Sequence, residues 1–321
     1  MRANKMKNWG IIGLGNIAEE FAQNMVRMHP IYGAAARDVK KAETFQRKYN
    51  VLHIYSSYQE LLEDDAIDIV YIATVNAQHF TNIMECLQHG KHVLCEKAIW
   101  GNYEELVTAY HYAKDHNLLL CEAMTIYHMP LFKKISEMID KGVLGKIKLV
   151  EADLGSLKED DPTNRFFSKE LGGGAMLDIG TYTLSFLRYF LKGNITGIKH
   201  VMHKYPTGVD EMWGIAVTTD QDEIGNANIT FRAKLPKRGV IAGDKAYITV
   251  YNYVRAQEAQ LTYPNGETVL IQEGKTEQAL EYEIKDIEDN LDNPENGKDY
   301  MRLTLDVVRC MDSLLRQENL M

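Results

Sequence analysis

The sequence predicts an α/β protein of two domains, in which a parallel sheet comes first and a large, mostly antiparallel sheet follows. The chain has 321 residues, more than one hydrophobic core usually serves. In its first third, short apolar runs alternate with helix-like stretches, which is typical of βαβ units. From about residue 195 to 286 the chain reads mostly as strands joined by short turns, as in antiparallel sheets.

Residues 1–123 form the predicted first domain. Strands and helices alternate through it, so the strands should be parallel and their carboxyl ends should share one edge of the sheet. Ligands of open α/β sheets bind at that edge. The predicted strands are 9–14, 31–36, 67–73, 92–95 and 118–122, and the predicted helices are 16–28, 40–49, 77–90 and 103–116.

Residues 124–321 form the predicted second domain, of the α+β type. Pro264-Asn265-Gly266 is a hairpin signal between two of its strands, and the acidic stretch 286–299 is interpreted as a solvated loop. The predicted helices are 131–141, 174–190 and 297–317, and the predicted strands are 147–154, 195–204, 213–219, 227–234, 246–253, 260–263 and 268–271. The last helix should dock on the body of the protein through one apolar face, formed by Tyr300, Leu303, Val307, Cys310 and Leu314.

Composition excludes several classes of protein. Hydrophobic residues make up 45% and charged residues 25% of the chain, and the formal net charge is −9 without a basic block, which argues against nucleic-acid binding. No segment has the length and apolarity of a membrane helix or the form of a signal peptide. The four cysteines are scattered and the histidines show no metal-ligand spacing, so we expect a cytoplasmic protein without a metal site.

A glycine-rich turn after the first strand predicts a dinucleotide site. Gly13, Gly15 and Ala18 fit the pattern G-x-G-x-x-A, in which the glycines allow a tight turn and close approach of a pyrophosphate. The turn opens a helix at Asn16 and Ile17, whose N-terminus adds partial positive charge.

The end of the second strand should distinguish NADP from NAD. An acidic residue there binds the ribose 2′-hydroxyl and repels a 2′-phosphate. This chain has Ala36 at that position, followed by Arg37, whose guanidinium can pair with a phosphate. NADP is therefore the expected cofactor, with NAD as the alternative; the other interpretation of Arg37 is a surface arginine paired with Asp38.

Further polar residues follow other strands. Thr74, Asn76 and His79 lie beyond the third strand, and Glu96 and Lys97 end the fourth, so all five are candidate cofactor contacts. In the second domain, Gly172-Gly173-Gly174 precedes Asp178 and Tyr182. The glycines should let the backbone approach a ligand, and the four-residue spacing places the acid and the phenol on one helix face. The alternatives are a Lys97–Glu96 salt bridge, Asp178 as a capping group and Tyr182 as a packing residue.

Taken in order, these motifs resemble the glucose–fructose oxidoreductase / inositol dehydrogenase (Gfo/Idh/MocA) family over nearly the whole chain. Residues 122–130, 164–167 and Tyr182 look most similar to dimeric dihydrodiol dehydrogenases and NADP-dependent xylose dehydrogenases. The chain departs from the family at Val75 and Ala98, where prolines are usual. The four stretches that carry the resemblance are GLGNIA at 13–18, VYIATVNAQH at 70–79, GKHVLCEKA at 90–98 and GGGAMLDIGTY at 172–182.

The resemblance implies an NAD(P)-dependent dehydrogenase or reductase acting on a sugar, polyol or vicinal diol. It further implies that Lys97, Asp178 and Tyr182 form the catalytic group and that an open face of the second sheet mediates a homodimer. Two alternatives stay open. One is a nucleotide-binding regulator that has lost turnover, against which the retention of all three residues argues. The other is an enzyme of the same fold with a different substrate.

Overall fold

The computed structural model describes residues 6–292 and 300–320, and their contacts divide them into two compact units. The first unit draws on Met1–Met124 and Leu280–Met301, and the second on Thr125–Ala279 and Arg302–Met321. The predicted first domain, 1–123, thus lies within the first unit. Leu280–Met301, which the sequence prediction placed in the second domain, is grouped with the first unit.

The first unit contains a six-stranded sheet whose adjacent strands are all parallel. Its strand order is β3-β2-β1-β4-β5-β6, which is the order of the Rossmann fold. The parallel sheet predicted from the sequence is confirmed. The strands are β1 Trp9–Ile12, β2 Gly33–Ala35, β3 His53–Tyr55, β4 Ile69–Ile72, β5 His92–Glu96 and β6 Leu120–Ala123, and the helices are α1 Asn16–Met28, α2 Val39–Tyr49, α3 Tyr58–Glu63, α4 His79–Gln88, α5 Tyr103–Asp115 and α8 Ala279–Asp292.

Side chains at the helix ends explain why several of these helices begin and end where they do. The Asp38 carboxylate accepts a hydrogen bond from the Lys40 backbone N–H (3.0 Å) and so caps α2. Asn50, in the left-handed conformation, ends the same helix. Ser57 caps α3 by accepting from the Glu60 backbone N–H (3.1 Å).

Three elements of the first unit differ from the sequence prediction. The strand β3 and the helix α3 were not predicted; they are three and six residues long, too short for a hydrophobic pattern to repeat several times. Part of the stretch 286–299 was predicted to be a loop, but α8 extends to Asp292; residues 293–299 lie outside the described part of the chain. Ile284 and Ile287 of α8 are buried in the hydrophobic cluster that also holds Trp9.

The second unit is built on an eight-stranded sheet of order β14-β13-β12-β11-β7-β10-β9-β8. Only β7 and β10 are parallel neighbours; the other pairs are antiparallel, as predicted. The strand β11 was not predicted. The strands are β7 Ile147–Gly155, β8 Ile195–Lys204, β9 Asp210–Thr219, β10 Ile224–Thr230, β11 Arg238–Gly243, β12 Tyr247–Tyr251, β13 Glu258–Thr262 and β14 Thr268–Gln272, and the helices are α6 Pro130–Asp140, α7 Thr181–Phe190 and α9 Tyr300–Gln317.

Helix α7 packs closely on one face of this sheet. A Cβ at Gly239 of β11 would lie 2.2 Å from the ring of Phe186, so only glycine leaves room for that ring. Val307 and Cys310 of α9 line a small cavity with Leu184 and Leu187 of α7. In the face predicted for the last helix, Tyr300, Val307, Cys310 and Leu314 are buried and Leu303 is half-buried. The predicted start near residue 297 lies outside the described residues.

The described residues offer no cluster of three or more histidine, cysteine, aspartate or glutamate side chains that could hold a metal ion. Within the same residues, no helix combines the length and the apolarity needed to cross a membrane. The four cysteines are buried and form no disulfide: Cys86, Cys95, Cys121 and Cys310.

Candidate active site

The glycine turn lies at the carboxyl end of β1. Gly13 has φ +81°, and a Cβ there would lie 2.6 Å from the backbone of Ala73 and Thr74, so this glycine is required by the protein's own packing. Gly15 differs, because a Cβ there would meet no protein atom within 4 Å. The space beside Gly15 is therefore open to a bound group. Gly15 is also the N-cap of α1 and provides no side-chain cap to the first N–H groups, which suits a pyrophosphate.

The end of β2 borders a cavity of about 640 Å³ within the first unit. Ala36 is buried, while Arg37 is exposed and lies beside Tyr58. Burial raises the pKa of the Tyr58 phenol, and the Arg37 guanidinium opposes that shift. Asp38 uses its carboxylate to cap α2. The polar groups of the cavity include the side chains of Arg37, Ser56, Ser57, Gln78, Thr81 and Glu85.

Lys97 follows β5, in a segment whose backbone is hydrogen-bonded to buried carboxylates. The Glu96 carboxylate accepts hydrogen bonds from the Tyr71 hydroxyl and from the Lys97 backbone N–H (3.2 Å). The Glu122 carboxylate accepts from the Ile99 backbone N–H (3.0 Å). Burial and the Glu96 carboxylate raise the pKa of the Tyr71 hydroxyl. The bond between Lys97 and Ala98 is cis. Lys97 itself is half-buried, and these hydrogen bonds hold the backbone on either side of it.

His79 connects this segment to the end of β4. The ring is fully buried; Nδ1 lies 3.1 Å from the carbonyl oxygens of Ala98 and Ile99, and Nε2 lies 3.1 Å from that of Thr74. Burial lowers the pKa of His79, and the three carbonyls oppose that shift. The ring nitrogens are thus directed at backbone atoms, and a contact of His79 with the cofactor stays a prediction.

The other predicted cofactor residues of the first unit lie at the same edge of the sheet. Thr74 follows β4, and its hydroxyl accepts a hydrogen bond from Asn82 (2.9 Å). Asn76 begins a 3-10 turn that leads into α4. Asn16 and Ile17 form the first turn of α1. The first unit thus brings the residues predicted on its strand ends to one edge.

Asp178 and Tyr182 lie in the second unit, on a helix that is irregular. The sequence predicted one helix over 174–190, whereas Met176–Gly180 is a π-helical turn and α7 starts at Thr181. The Thr181 backbone N–H donates to the Met176 carbonyl, five residues earlier. Such turns are frequent at functional sites. The argument that a four-residue spacing shares one α-helical face therefore does not apply directly, although Asp178 and Tyr182 are both half-buried on adjoining turns.

Two of the three glycines before this turn serve packing. A Cβ at Gly173 would lie 2.7–2.8 Å from the carbonyl oxygens of Arg165, Phe166 and Ser168. Gly174 has φ +126°, and a Cβ there would lie 2.2 Å from Asp210. At Gly172, by contrast, a Cβ would meet no atom within 4 Å. Packing therefore explains the glycines at 173 and 174, and the approach of a ligand to this segment stays a prediction.

Asp210 is a positioning residue that the sequence analysis missed. Its buried carboxylate accepts hydrogen bonds from the Met176 backbone N–H (2.6 Å) and from Trp213 Nε1 (2.7 Å), and so fixes the start of the π turn. Burial raises the pKa of Asp210, and these donors act in the opposite direction. No local motif distinguishes this aspartate in the sequence.

Lys158 is a second residue that the sequence analysis missed. Its Nζ lies 3.8 Å from Asp178 Oδ2 and 3.7 Å from the ring centroid of Phe166. The lysine belongs to a charged stretch after β7, which resembles an ordinary solvated loop in the sequence.

Models of known protein families match both halves of the chain. The model for the Gfo/Idh/MocA oxidoreductase family, with an NAD-binding Rossmann fold, matches residues 7–124. The model for the Gfo/Idh/MocA C-terminal domain matches residues 132–249.

Curated relatives and solved structures agree with these matches. The chain is 31% identical over 250 residues to a trans-1,2-dihydrobenzene-1,2-diol dehydrogenase of Xenopus tropicalis, covering 75% of this chain and 74% of the relative. It is 29% identical over 249 residues to the Homo sapiens enzyme, covering 76% and 74%. A 3-ketoreductase of Actinomadura kijaniata, solved with NADP and TDP-benzene, has a TM-score of 0.82 at 21% identity over 96% of this chain and 97% of that one. A levoglucosan dehydrogenase, solved with NADH and levoglucosan, has a TM-score of 0.87 at 19% identity over 98% and 97%.

Proposed function

Because the chain belongs to the Gfo/Idh/MocA family of NAD(P)-binding oxidoreductases, we propose that it is an NADP-dependent dehydrogenase or reductase of a sugar, polyol or vicinal diol. The observation that carries the proposal is the turn at Gly15, where packing within the protein does not require a glycine and the space is open to a pyrophosphate. Arg37 beside a polar cavity favours NADP over NAD. The relatives that act on diols and sugars support the substrate class.

We propose Lys97, Asp178 and Tyr182 as the catalytic group. When bound, the cofactor supplies hydride chemistry at its nicotinamide ring. Tyr182 takes the hydroxyl proton of the substrate during oxidation and returns it during reduction. A phenol is a weak acid, so the ammonium of Lys97 is needed to favour its ionised form and to stabilise the developing alkoxide. Asp178 orients Lys97 or a substrate hydroxyl.

The experiment is a panel of aldoses, inositols and vicinal diols followed by NADPH absorbance, and then variants assayed on the best substrate. Tyr182→Phe removes only the hydroxyl, so turnover should fall by about 10²–10⁴ while cofactor affinity is unchanged. Lys97→Met should lower turnover as well, and the two losses should be less than additive in the double variant.

Tyr263→Phe, at the hairpin between β13 and β14, is the matched control and should keep wild-type turnover. Wild-type turnover of Tyr182→Phe, with hydride transfer rate-limiting, would remove Tyr182 from the mechanism. Cofactor binding without turnover on any substrate would instead favour the regulator.

We further propose that the chain forms a homodimer through the open face of the eight-stranded sheet. Val201 is 74% exposed and Tyr251 is 58% exposed on this sheet. The small residues Gly214 and Ala216 of β9 line a cavity of about 560 Å³ on this face, beside Val201, and permit close approach of a second surface. We also propose that the protein is cytoplasmic. Its four cysteines form no disulfide, which is typical of proteins in a reducing compartment.

A further inference from the structure

We propose that Lys158 is a specificity-determining residue, and that Lys158 and Asp178 together bind a second hydroxyl of the substrate, adjacent to the one that reacts. This inference rests on the proposed function, because it takes Asp178 to face the substrate. It adds a residue outside the proposed catalytic group and narrows the substrates to those diols, polyols and sugars that carry a hydroxyl next to the reacting one.

The position of Lys158 is fixed by the extension of the sheet. Beyond β7, the Ser156 backbone N–H donates to the Thr230 carbonyl (2.9 Å) and the Lys158 backbone N–H donates to the Phe231 carbonyl (2.9 Å). The main chain of Lys158 is therefore anchored beside β10, whose last residue is Thr230. A side chain on an anchored backbone loses less conformational entropy when it binds a ligand.

Two aromatic rings hold the ammonium of Lys158. Nζ lies 3.7 Å from the ring centroid of Phe166 and 5.3 Å from that of Phe231, and the planes of the two rings meet at 67° with centroids 5.6 Å apart. Both distances are within the range of cation–π attraction. The side chain is only 17% exposed, so the charge is partly removed from water and each hydrogen bond it makes is strengthened.

The separation of the two charged groups points to a hydroxyl. Nζ and Asp178 Oδ2 lie 3.8 Å apart, which is longer than a direct hydrogen bond. One oxygen at about 2.8 Å from each atom spans that separation. The group must accept from an ammonium and donate to a carboxylate at once; a hydroxyl does both, whereas a carbonyl only accepts. The Asp178 side chain is 27% exposed, so the pair is accessible to a small molecule.

The test compares binding of ligands that differ by one hydroxyl. Enzyme loaded with NADPH, which cannot oxidise an alcohol, is titrated by calorimetry with trans-1,2-cyclohexanediol against cyclohexanol, and with D-glucose against 2-deoxy-D-glucose. In at least one pair, the wild type should bind the ligand with the additional hydroxyl, called the richer ligand, more tightly than the other. Lys158→Met should reduce that preference by about 10- to 100-fold, since it removes a hydrogen bond from a charged donor. Lys158→Arg should keep most of it.

Lys237→Met is the control, because Lys237 is an exposed lysine of the same unit. An unchanged preference in Lys158→Met, equal weakening of both members of a pair, or a wild type that binds neither richer ligand more tightly would each overturn the proposal. If Lys158→Met does not fold, Lys158→Gln is judged by the same preference.

The turnover panel separates this inference from the proposed function. Lys158-dependent binding without turnover on any substrate would contradict the dehydrogenase and support the hydroxyl site. Turnover with a preference that Lys158→Met leaves unchanged would contradict the hydroxyl site alone.

Discussion

At the scale of single residues, the predicted cofactor contacts differ in their burial and in the protein atoms they meet. Glu96 and His79 are buried and directed at neighbouring protein atoms, whereas Arg37 is exposed and Lys97 is half-buried. A position next to a predicted motif therefore does not by itself make a residue a ligand contact.

Arg37 should determine the preference for NADP. Arg37→Ala removes a guanidinium that can pair with the 2′-phosphate, so NADP affinity should fall by about 10- to 100-fold while NAD affinity changes little. Fluorescence titration of both cofactors measures this. Arg47→Ala, on α2, is the control and should bind both cofactors normally. Tighter binding of NAD than NADP by the wild type would contradict the assignment.

Asp210 should stabilise the turn that carries Asp178. In Asp210→Asn, an amide N–H₂ replaces one of the buried acceptor oxygens that face backbone N–H groups of this turn. The expected cost is about 1–3 kcal/mol, or a fall in Tm of about 2–12 °C. Asp222→Asn, at an exposed turn with φ 58°, should leave Tm unchanged. Equal Tm values for the wild type and Asp210→Asn would show that the carboxylate does not hold the turn.

At the scale of secondary-structure elements, α8 shows how a segment distant in sequence becomes part of the first unit. Glu288 accepts a hydrogen bond from Trp9 Nε1 (2.8 Å) and lies 2.8 Å from His29 Nε2. Arg27 Nη1 lies 3.3 Å from Glu281. These polar contacts surround the apolar contacts of Ile284 and Ile287 and fix α8 against this unit.

The contact between His29 and Glu288 predicts a pH dependence of stability. The hydrogen bond to Glu288 is the largest cause that raises the pKa of His29 above 6.5. A raised histidine pKa stabilises the folded state fully below the unfolded pKa, and this contribution is lost as the pH rises through the folded value. We therefore expect His29→Gln to lower Tm at pH 5.5 by several degrees, corresponding to ~1 kcal/mol, and to have little effect at pH 8.5.

Differential scanning calorimetry across this pH range measures the effect. His111→Gln, at an exposed position on α5, is the control. A Tm difference between the wild type and His29→Gln that is constant with pH, or that grows as the pH rises, would contradict the prediction.

At the scale of the whole molecule, the proposed homodimer makes the open sheet face a buried one. Light scattering at micromolar concentration should report twice the 36.7 kDa mass of the chain. Val201→Asp places an unpaired charge on this face and should shift the mass towards that of a monomer. Leu52→Asp changes a residue that is also exposed, at 55%, but lies in the first unit, and should leave the mass unchanged. A monomeric wild type would contradict the dimer.

The sequence by itself determined the order and class of most elements. The bounds of α1 and β8 match their predicted ranges, 16–28 and 195–204. The glycine turn follows the first strand, and Pro264-Asn265-Gly266 joins β13 to β14. These features are local: hydrophobic period, turn residues and caps act over a few positions, so they can be read along the chain. The Ser57–Glu60 spacing is a further local signal, for the start of α3.

Only the tertiary structure decided which residues meet across long distances in the sequence. Asp210 holds a turn at Met176, Lys158 approaches Asp178, and α8 joins the first unit after most of the second has intervened. It also decided that Gly173 and Gly174 serve packing, while Gly15 leaves space for a ligand. The physical reason is that a missing Cβ or a charged side chain has a meaning only through the atoms around it. Many of those atoms come from segments distant in the sequence, as Asp210 does for Gly174, and no local pattern specifies which segments meet.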